Sequence, residues 1–277
     1  MDIQQFVQLA IKEDIKDGDH SALACIPKDA IGKAQLIVKE NGVIAGVQVA
    51  KQLFNEFDSS FIFTPFINDG EIVQSGDIVF KIEGPSRSLL SAERLVLNVM
   101  QRMSAIATST NKYVKALNGL NTTILDTRKT TPLLRFLEKK AVLIGGGKNH
   151  RMGLYDMIMI KDNHIDFAGS IEKAINQTKH YLSYNNLNLK IEIETRNLNE
   201  VKQVISIGSV DRIMLDNFNY KDLRLAVKLI NKKYETEASG GINLKTVREY
   251  AECGVDFVSV GAITHSVKNM DLSLKAI

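Results

Sequence analysis

Apolar residues recur every three or four positions through LLSAERLVLNVMQRMSAIATSTNKYVKAL (89–117), where Leu89, Leu90, Val96, Val99, Met100, Met103, Ile106 and Ala107 form one stripe. That period predicts a long helix whose stripe suits a core or a subunit interface. The same period predicts shorter helices in QQFVQLAIKEDI (4–15) and GVQVAKQLFNEF (46–57). Elsewhere in the first hundred residues, apolar positions bunch into short runs bounded by turn residues. AQLIVKENGVIAGV (34–47) carries β-branched residues around an Asn41-Gly42 turn signal. NDGEIVQSGDIVFKIEGPS (68–86) has two runs set off by Asp-Gly and Ser-Gly, and reads as antiparallel strands.

From about residue 121 the pattern changes. Short apolar strands, TTILDT, AVLIGGG, MIMIKD, KIEIET, RIMLDN, ETEASGG and DFVSVG, alternate with amphipathic runs such as SIEKAINQTKHYL, NLNEVKQVISI, YKDLRLAVKLINKKY and NLKTVREYAECG. Repeated βα units predict a parallel sheet. Many similar units with no order switch favour a barrel closing on itself, with an open doubly wound sheet as the alternative. Neither GxGxxG after a strand nor GxxxxGK[ST] occurs, so the dinucleotide and P-loop readings lack their signature.

Composition narrows the class. The chain has 277 residues, 44% hydrophobic and 24% charged, values of an ordinary globular protein with one large domain or two moderate ones. Cys25 and Cys253 lie far apart and form neither a disulfide framework nor a zinc spacing, which favours a reducing compartment. No basic leader precedes an apolar run and no apolar stretch approaches bilayer length, so a cytoplasmic protein with no membrane contact is expected. The net charge is only +3, yet Arg128 to Lys161 holds eight Lys/Arg against two acids. Such a run is commonly a solvated face; here it alternates with glycine and apolar strand segments, which makes an inward anion site a serious competitor.

In a β/α barrel, chemistry collects where strands end. That rule selects Asp126, Thr127, Arg128 and Lys129 after one strand and Lys161, Asp162, Asn163 and His164 after another; His150 and Arg151 follow the GGGKNHR loop. Arg128, Lys129, His150, Arg151 and Lys161 together suit a ligand with several negative charges, although Lys129 alone reads as a surface ion pair and His150 alone as a structural histidine. Glu192 and Glu194 alternate with isoleucines and share a strand face. Glu192 is assigned to an internal ion pair with Lys161 or Arg128. Glu194 and Asp216 suit sugar hydroxyls or Mg²⁺, a hard cation that takes oxygen ligands. Ser239, Gly240, Gly241 and Gly261 end two late strands, where backbone N–H groups can cradle a phosphate. These residues define an enzyme for a phosphorylated sugar and an acidic co-substrate.

At these residues the chain resembles the quinolinate phosphoribosyltransferase family nearly end to end. The resemblance runs through EDIKDGD (13–19), SLLSAERLVLN (88–98), QRMSAIAT (101–108), the block from ILDTRKTTP to IMIKDNHI (124–165), IEIE (191–194), IMLDN (213–217), EASGGI (237–242) and SVGAITHS (259–266). Lys16 and Ala105 stand where the family commonly has glycine. The resemblance implies an N-terminal α/β sandwich domain (1–104) rejoined by the tail 266–277, and an incomplete α/β (TIM-like) barrel (105–265). It implies a homodimer or an assembly of dimers in which Arg94 enters the partner's site. It assigns Arg94, Arg128, Lys129, His150, Arg151 and Lys161 to quinolinate and neighbouring phosphates, with Lys129, Glu194 and Asp216 catalytic. Glu194 and Asp216 stand near the ribose and Mg²⁺, and Ser239, Gly240, Gly241 and Gly261 near the 5-phosphate; His265 is given no role. The implied reaction joins quinolinate to 5-phosphoribosyl-1-diphosphate, giving nicotinate mononucleotide, diphosphate and CO₂, with Mg²⁺ and no organic cofactor. A related phosphoribosyltransferase for another acid, including the molybdenum-transport-associated paralogues, is the alternative. A nucleic-acid binder is disfavoured: tryptophan is absent and no recognition motif occurs.

Overall fold

A computed structural model describes residues 2–277. The chain folds as two compact units: Met1–Asn111 with Thr130–Gly146 and Ser266–Ile277, and Lys112–Lys129 with Gly147–His265.

The first unit contains α1 (Ile3–Asp14), α2 (His20–Cys25), β1 (Ile31–Val38), β2 (Gly42–Val43), α3 (Val47–Phe57), β3 (Ile62–Pro65), β4 (Ile72–Val73), β5 (Ile78–Pro85), most of α4 (Ser86–Ala116), α5 (Arg135–Ile144) and a C-terminal strand, Leu272–Ala276. Its main sheet runs C-terminal strand, β1, β5, β3, with every pair antiparallel. Period-two burial along β1 turns Ala34, Leu36 and Val38 inward, beside the ring cluster of Phe54, Phe63 and Phe80. The α4 stripe is buried as its period predicts, except Leu90, which is exposed.

Two expectations from the sequence fail in this unit. Asn41-Gly42 does not turn one hairpin strand onto the next: β2 pairs with β4, and the end of β1 is held by the turn before β5, through Val38 N–H to Asp77 O (2.9 Å) and Gly76 N–H to Val38 O (2.8 Å). AVLIGGG is not a strand but the end of α5, whose four-residue spacing buries Leu137, Ala141 and Val142. Gly145 lies so close to α4 that a Cβ there would stand 2.5 Å from Ala107 O, which is why the chain needs glycine at that point. Arg102 pairs with the buried Glu138 at 2.9 Å, and Phe6 meets Phe136 edge-on. Residues 130–146 therefore belong with the first unit, and with them go Arg135, Lys139 and Lys140 of the basic run.

The second unit contains β6 (Thr123–Leu125), β7 (Ile158–Ile160), α6 (Asp162–Ala168), α7 (Ile171–Tyr184), β8 (Ile191–Thr195), α8 (Leu198–Ile207), β9 (Arg212–Asp216), α9 (Tyr220–Ile230), β10 (Glu235–Ser239), α10 (Val247–Ala251), β11 (Phe257–Ser259) and α11 (Ala262–His265). Side chains of Ser170, Asn197 and Asn219 cap the starts of α7, α8 and α9. The sheet is parallel, in the order β6-β11-β10-β9-β8-β7. The first strand pairs with the last and each other strand with its chain neighbour, which is the ring of a barrel cut between β6 and β7. At the cut, Leu125 bridges Lys148.

Register stacks the inward side chains in layers. Glu192, Arg212 and Glu235 share one level; Glu194, Met214, Glu237 and Phe257 the next; Asp216 and Ser239 the last, at the C-terminal rim. The opposite face carries Ile193, Ile213, Leu215 and Ala238, all buried with Val201, Val204, Leu223 and Ala226 of the helices. The sheet thus spends its apolar residues on its helices and its polar ones on its interior.

Candidate active site

A cavity of about 1000 Å³ opens at the C-terminal ends of these strands. It is lined by Arg128, Lys129, His150, Arg151, Lys161, Glu194, Asp216, Ser239, Gly240, Gly241 and Gly261, and also by His265. Arg94 does not line it; that residue is exposed on α4 of the first unit.

The cations are placed by the loops that leave β6 and approach β7. Asp126 is fully buried and accepts the His150 N–H at 2.8 Å, while its own N–H reaches Lys148 O at 3.2 Å. The 148–150 segment is thereby laid along the end of β6. Lys129 is fixed at both ends of its backbone unit: its N–H donates to Thr127 Oγ1 (3.1 Å) and its carbonyl accepts from the Thr264 hydroxyl (2.8 Å). Arg151 donates from Nη1 to Met157 O at 3.2 Å. Burial, and then the neighbouring Arg128 charge, lower the Arg151 pKa. Two guanidiniums so close repel each other, and an anion between them relieves that repulsion. Lys161 Nζ lies 3.0 Å from Glu194 Oε2, so the cationic and acidic halves of the site touch there.

Beneath the cations lies a buried charged cluster. His150 Nε2 is 2.8 Å from Glu192 Oε2 and 3.4 Å from Glu237 Oε2. Arg212 reaches Glu237 at 2.9 Å and Glu192 at 4.0 Å, binds Glu235 through Nε and Nη2, and lies 4.1 Å over the Phe257 ring. The ion pair expected for Glu192 is therefore made with His150 and Arg212, not with Lys161 or Arg128. Register explains the difference, because Glu192 sits opposite Arg212, one inward layer below Glu194. Among the described residues, His150, Glu192 and Glu237 are the group whose geometry suits a metal ion, but the Arg212 guanidinium already supplies its positive charge.

Burial pushes the Glu192 carboxyl up to about 7; Glu237 adds to the effect, while His150 and Arg212 oppose it. Burial also acts to raise Glu237, but His150 and Arg212 outweigh it and hold that carboxyl below its usual range. One proton thus resides preferentially on Glu192. Burial alone would lower the His150 pKa, and the two carboxylates reverse that direction. The carboxylates face Nε2, while Nδ1 lies 2.7 Å from the Arg151 backbone N. A carboxyl raised from 4.5 on folding contributes stability that is complete below its unfolded value and lost as pH rises through about 7. Between about pH 5 and pH 8 the wild type is expected to lose stability relative to Glu192→Gln, by on the order of 2–3 kcal/mol. Paired urea melts across that window check this; a constant difference between the two proteins would mean Glu192 does not titrate there.

The opposite rim is built for close backbone approach. Gly240 has φ 99°, and a Cβ there would stand 2.9 Å from the Asn217 backbone N, besides striking its side chain. Asn217 itself adopts φ 55° and donates from Nδ2 to Asp216 Oδ2 at 2.6 Å, so it orients that carboxylate. A side chain at 261 would press on Lys129 and His265 at 3.0–3.2 Å. Sequence reasoning passed over Asn217, Arg212 and Glu237. The signal for Glu237 was available, since Glu235-Thr236-Glu237 alternates as Glu192-Ile193-Glu194 does.

Strand-end cations, acids on the adjoining strands and a glycine rim form the site of an α/β-barrel enzyme for small anionic molecules. The sequence matches the family models for the quinolinate phosphoribosyl transferase N-terminal domain over residues 19–104 and C-terminal domain over residues 106–275. The chain belongs to the quinolinate phosphoribosyltransferase family. It is 47% identical over 289 aligned residues to quinolinate phosphoribosyltransferase [decarboxylating] 1b of Nicotiana tabacum, covering 99% of this chain and 82% of that protein. Against the probable nicotinate-nucleotide pyrophosphorylase [carboxylating] of Bacillus subtilis, identity is 40%, over 95% of this chain and 89% of the other. The fold superposes on the nicotinate-nucleotide pyrophosphorylase structure from Francisella tularensis with a TM-score of 0.90, at 38% identity, covering 99% and 96% of the two chains. On the NadC structure from Streptococcus pyogenes the TM-score is 0.93, at 39% identity, with 99% and 97% covered.

Proposed function

We propose that this chain transfers the phosphoribosyl group of 5-phosphoribosyl-1-diphosphate to quinolinate with loss of CO₂, giving nicotinate mononucleotide and diphosphate for NAD biosynthesis. The observation that carries this reading is the sorting of charge in one cavity: Arg128, Lys129, Arg151 and Lys161 on the β6–β7 side, Glu194 and Asp216 on β8 and β9, glycines at the β10 and β11 ends.

Quinolinate is a dianion, and the paired guanidiniums of Arg128 and Arg151 suit its two carboxylates. The 5-phosphate suits the Ser239-Gly240-Gly241 and Gly261 turns, where backbone N–H groups are approachable. With both substrates held, the pyridine nitrogen attacks ribose C1 as diphosphate departs. Glu194 and Asp216 stabilise positive charge developing on the ribose, and Lys129 neutralises negative charge on the reacting groups. Attack leaves the ring nitrogen cationic, and that charge stabilises the electron pair left on C2 when CO₂ leaves; a proton from solvent then takes up the pair and completes nicotinate mononucleotide. The protein's share of the chemistry is positioning and charge.

Glu194 and Asp216 fit a Mg²⁺ that arrives with the diphosphate. They offer hard oxygens, and one oxygen of each is already taken, by Lys161 and by Asn217, which leaves few protein ligands for a resident ion. Bound there, the ion supplies neutralisation of the leaving group.

The site is completed by Arg94 of a second copy of the chain in a homodimer, and the protein works in the cytoplasm. In keeping with a reducing compartment, both cysteines are free thiols. No helix among the described residues is long and apolar enough to cross a membrane. The deciding experiment supplies purified protein with carboxyl-labelled quinolinate, phosphoribosyl diphosphate and Mg²⁺ and measures CO₂. Release that requires all three supports the reading; no release from quinolinate, with nicotinate consumed when supplied in its place, ends it.

A further inference from the structure

Lys129 is exposed, and a lysine on an exposed loop carries a flexible four-carbon stem with no fixed direction of its own. Two features of the neighbouring strand end restrict it. Thr264, in the short helix α11, is wholly buried and does not line the cavity. Its hydroxyl lies 2.8 Å from the Lys129 carbonyl and 3.1 Å from the Gly261 carbonyl. A hydroxyl has one proton to donate. The Gly261 carbonyl already accepts the backbone N–H groups of Thr264 and His265, each at 3.1 Å. The Thr264 proton therefore serves Lys129, whose carbonyl lies beyond the end of β6 and has no partner in the sheet ladder. The second feature is Gly261. A Cβ there would stand 3.0 Å from Lys129 Cδ, so the stem passes through space that any other residue at 261 would crowd.

We propose that Thr264 is a positioning residue for Lys129: its hydroxyl anchors the Lys129 backbone, Gly261 leaves room for the Lys129 stem, and together they aim the ammonium at the reacting groups. This rests on the reading of the cavity as the site where quinolinate meets phosphoribosyl diphosphate, with Lys129 acting on them. It assigns a task to a threonine outside the cavity lining, 135 residues along the chain from the lysine it holds. That distance is bridged because β6 and β11, the first and last strands of this unit, pair with each other. It also gives Gly261 a second reason to be glycine, besides backbone approach by a phosphate.

Removing the hydroxyl while keeping the shape of the side chain tests this. Thr264→Val is expected to lower kcat about tenfold, the worth of one hydrogen bond, while quinolinate affinity by calorimetry stays within about twofold, because Arg128 and Arg151 are untouched. Thr264→Ser restores the hydroxyl and is expected to bring kcat back to within about twofold of wild type. A double variant separates positioning from a merely structural role. In Lys129→Ala the backbone hydrogen bond survives but the ammonium is gone, so adding Thr264→Val is expected to cost no further residual turnover. An unchanged kcat in Thr264→Val, or an equal loss in both backgrounds, overturns the proposal. Should Thr264→Val fail to fold, a crystal structure of the wild type with quinolinate and an unreactive phosphoribosyl diphosphate analogue decides. A Thr264 hydroxyl on the Lys129 carbonyl, with Lys129 Nζ on a ligand anion, supports positioning; a hydroxyl turned to the ligand itself, or a Lys129 turned away from it, overturns it. Wild-type protein that neither binds quinolinate nor releases CO₂ refutes the functional reading and the proposal with it; an active wild type matched by Thr264→Val refutes the proposal alone.

Discussion

Glu194→Gln and Asp216→Asn are each expected to lower turnover by about 10²–10³-fold while quinolinate still binds. Each amide nearly keeps the shape of the acid and removes its charge. Asp216 stands at the rim with Asn217 donating to one oxygen, and Glu194 is tied to Lys161 at 3.0 Å. Neither acid helps to hold a dianion; removing Glu194 frees Lys161 to attract it more strongly. The loss falls on the step in which ribose C1 becomes cationic, where a preorganised negative group acts without having to reorganise. Calorimetry for quinolinate and kinetics at saturating substrate separate the two effects. Lost quinolinate binding with normal saturated turnover would reverse the assignment.

Arg94→Ala and Lys129→Ala should each be nearly inactive alone and should restore each other when mixed. Lys129 lies in the cavity of its own chain, whereas Arg94 is exposed on α4 and absent from the cavity lining. If Arg94 serves the other copy, a mixed dimer assembles one intact site of two. Equal mixing under conditions of subunit exchange should then return about a quarter of wild-type turnover. No recovery, with exchange shown by mass-labelled subunits, rules out a shared site.

The site was legible in the sequence where strand ends announce themselves. Arg128, Lys161, Glu194 and Asp216 each follow or close a short apolar run, and a barrel brings such ends together whatever lies between them. Legibility failed where an apolar run was ambiguous. AVLI is apolar enough for a strand, yet it ends the helix α5, and Gly145 just beyond it lies close against α4. It also failed for partners set by register. That Glu192 meets Arg212 depends on which strand is its neighbour and at what offset, neither of which appears in local spacing. Asn41-Gly42 carries a hairpin signal that tertiary pairing overrode. Lys16 takes φ 48°, a left-handed conformation that glycine would adopt at less cost.

The strand Leu272–Ala276 pairs with β1 from Ala34↔Ala276 to Val38↔Leu272, and the entire second unit is encoded between them. On the ribosome, β1 therefore emerges early and keeps a bare edge while more than two hundred further residues are made. The first unit is the last to be sealed. A nascent chain in that interval presents a strand edge open to pairing with another nascent chain, so the strand Leu272–Ala276 acts as a closing stitch whose loss would show first as poor yield from cells.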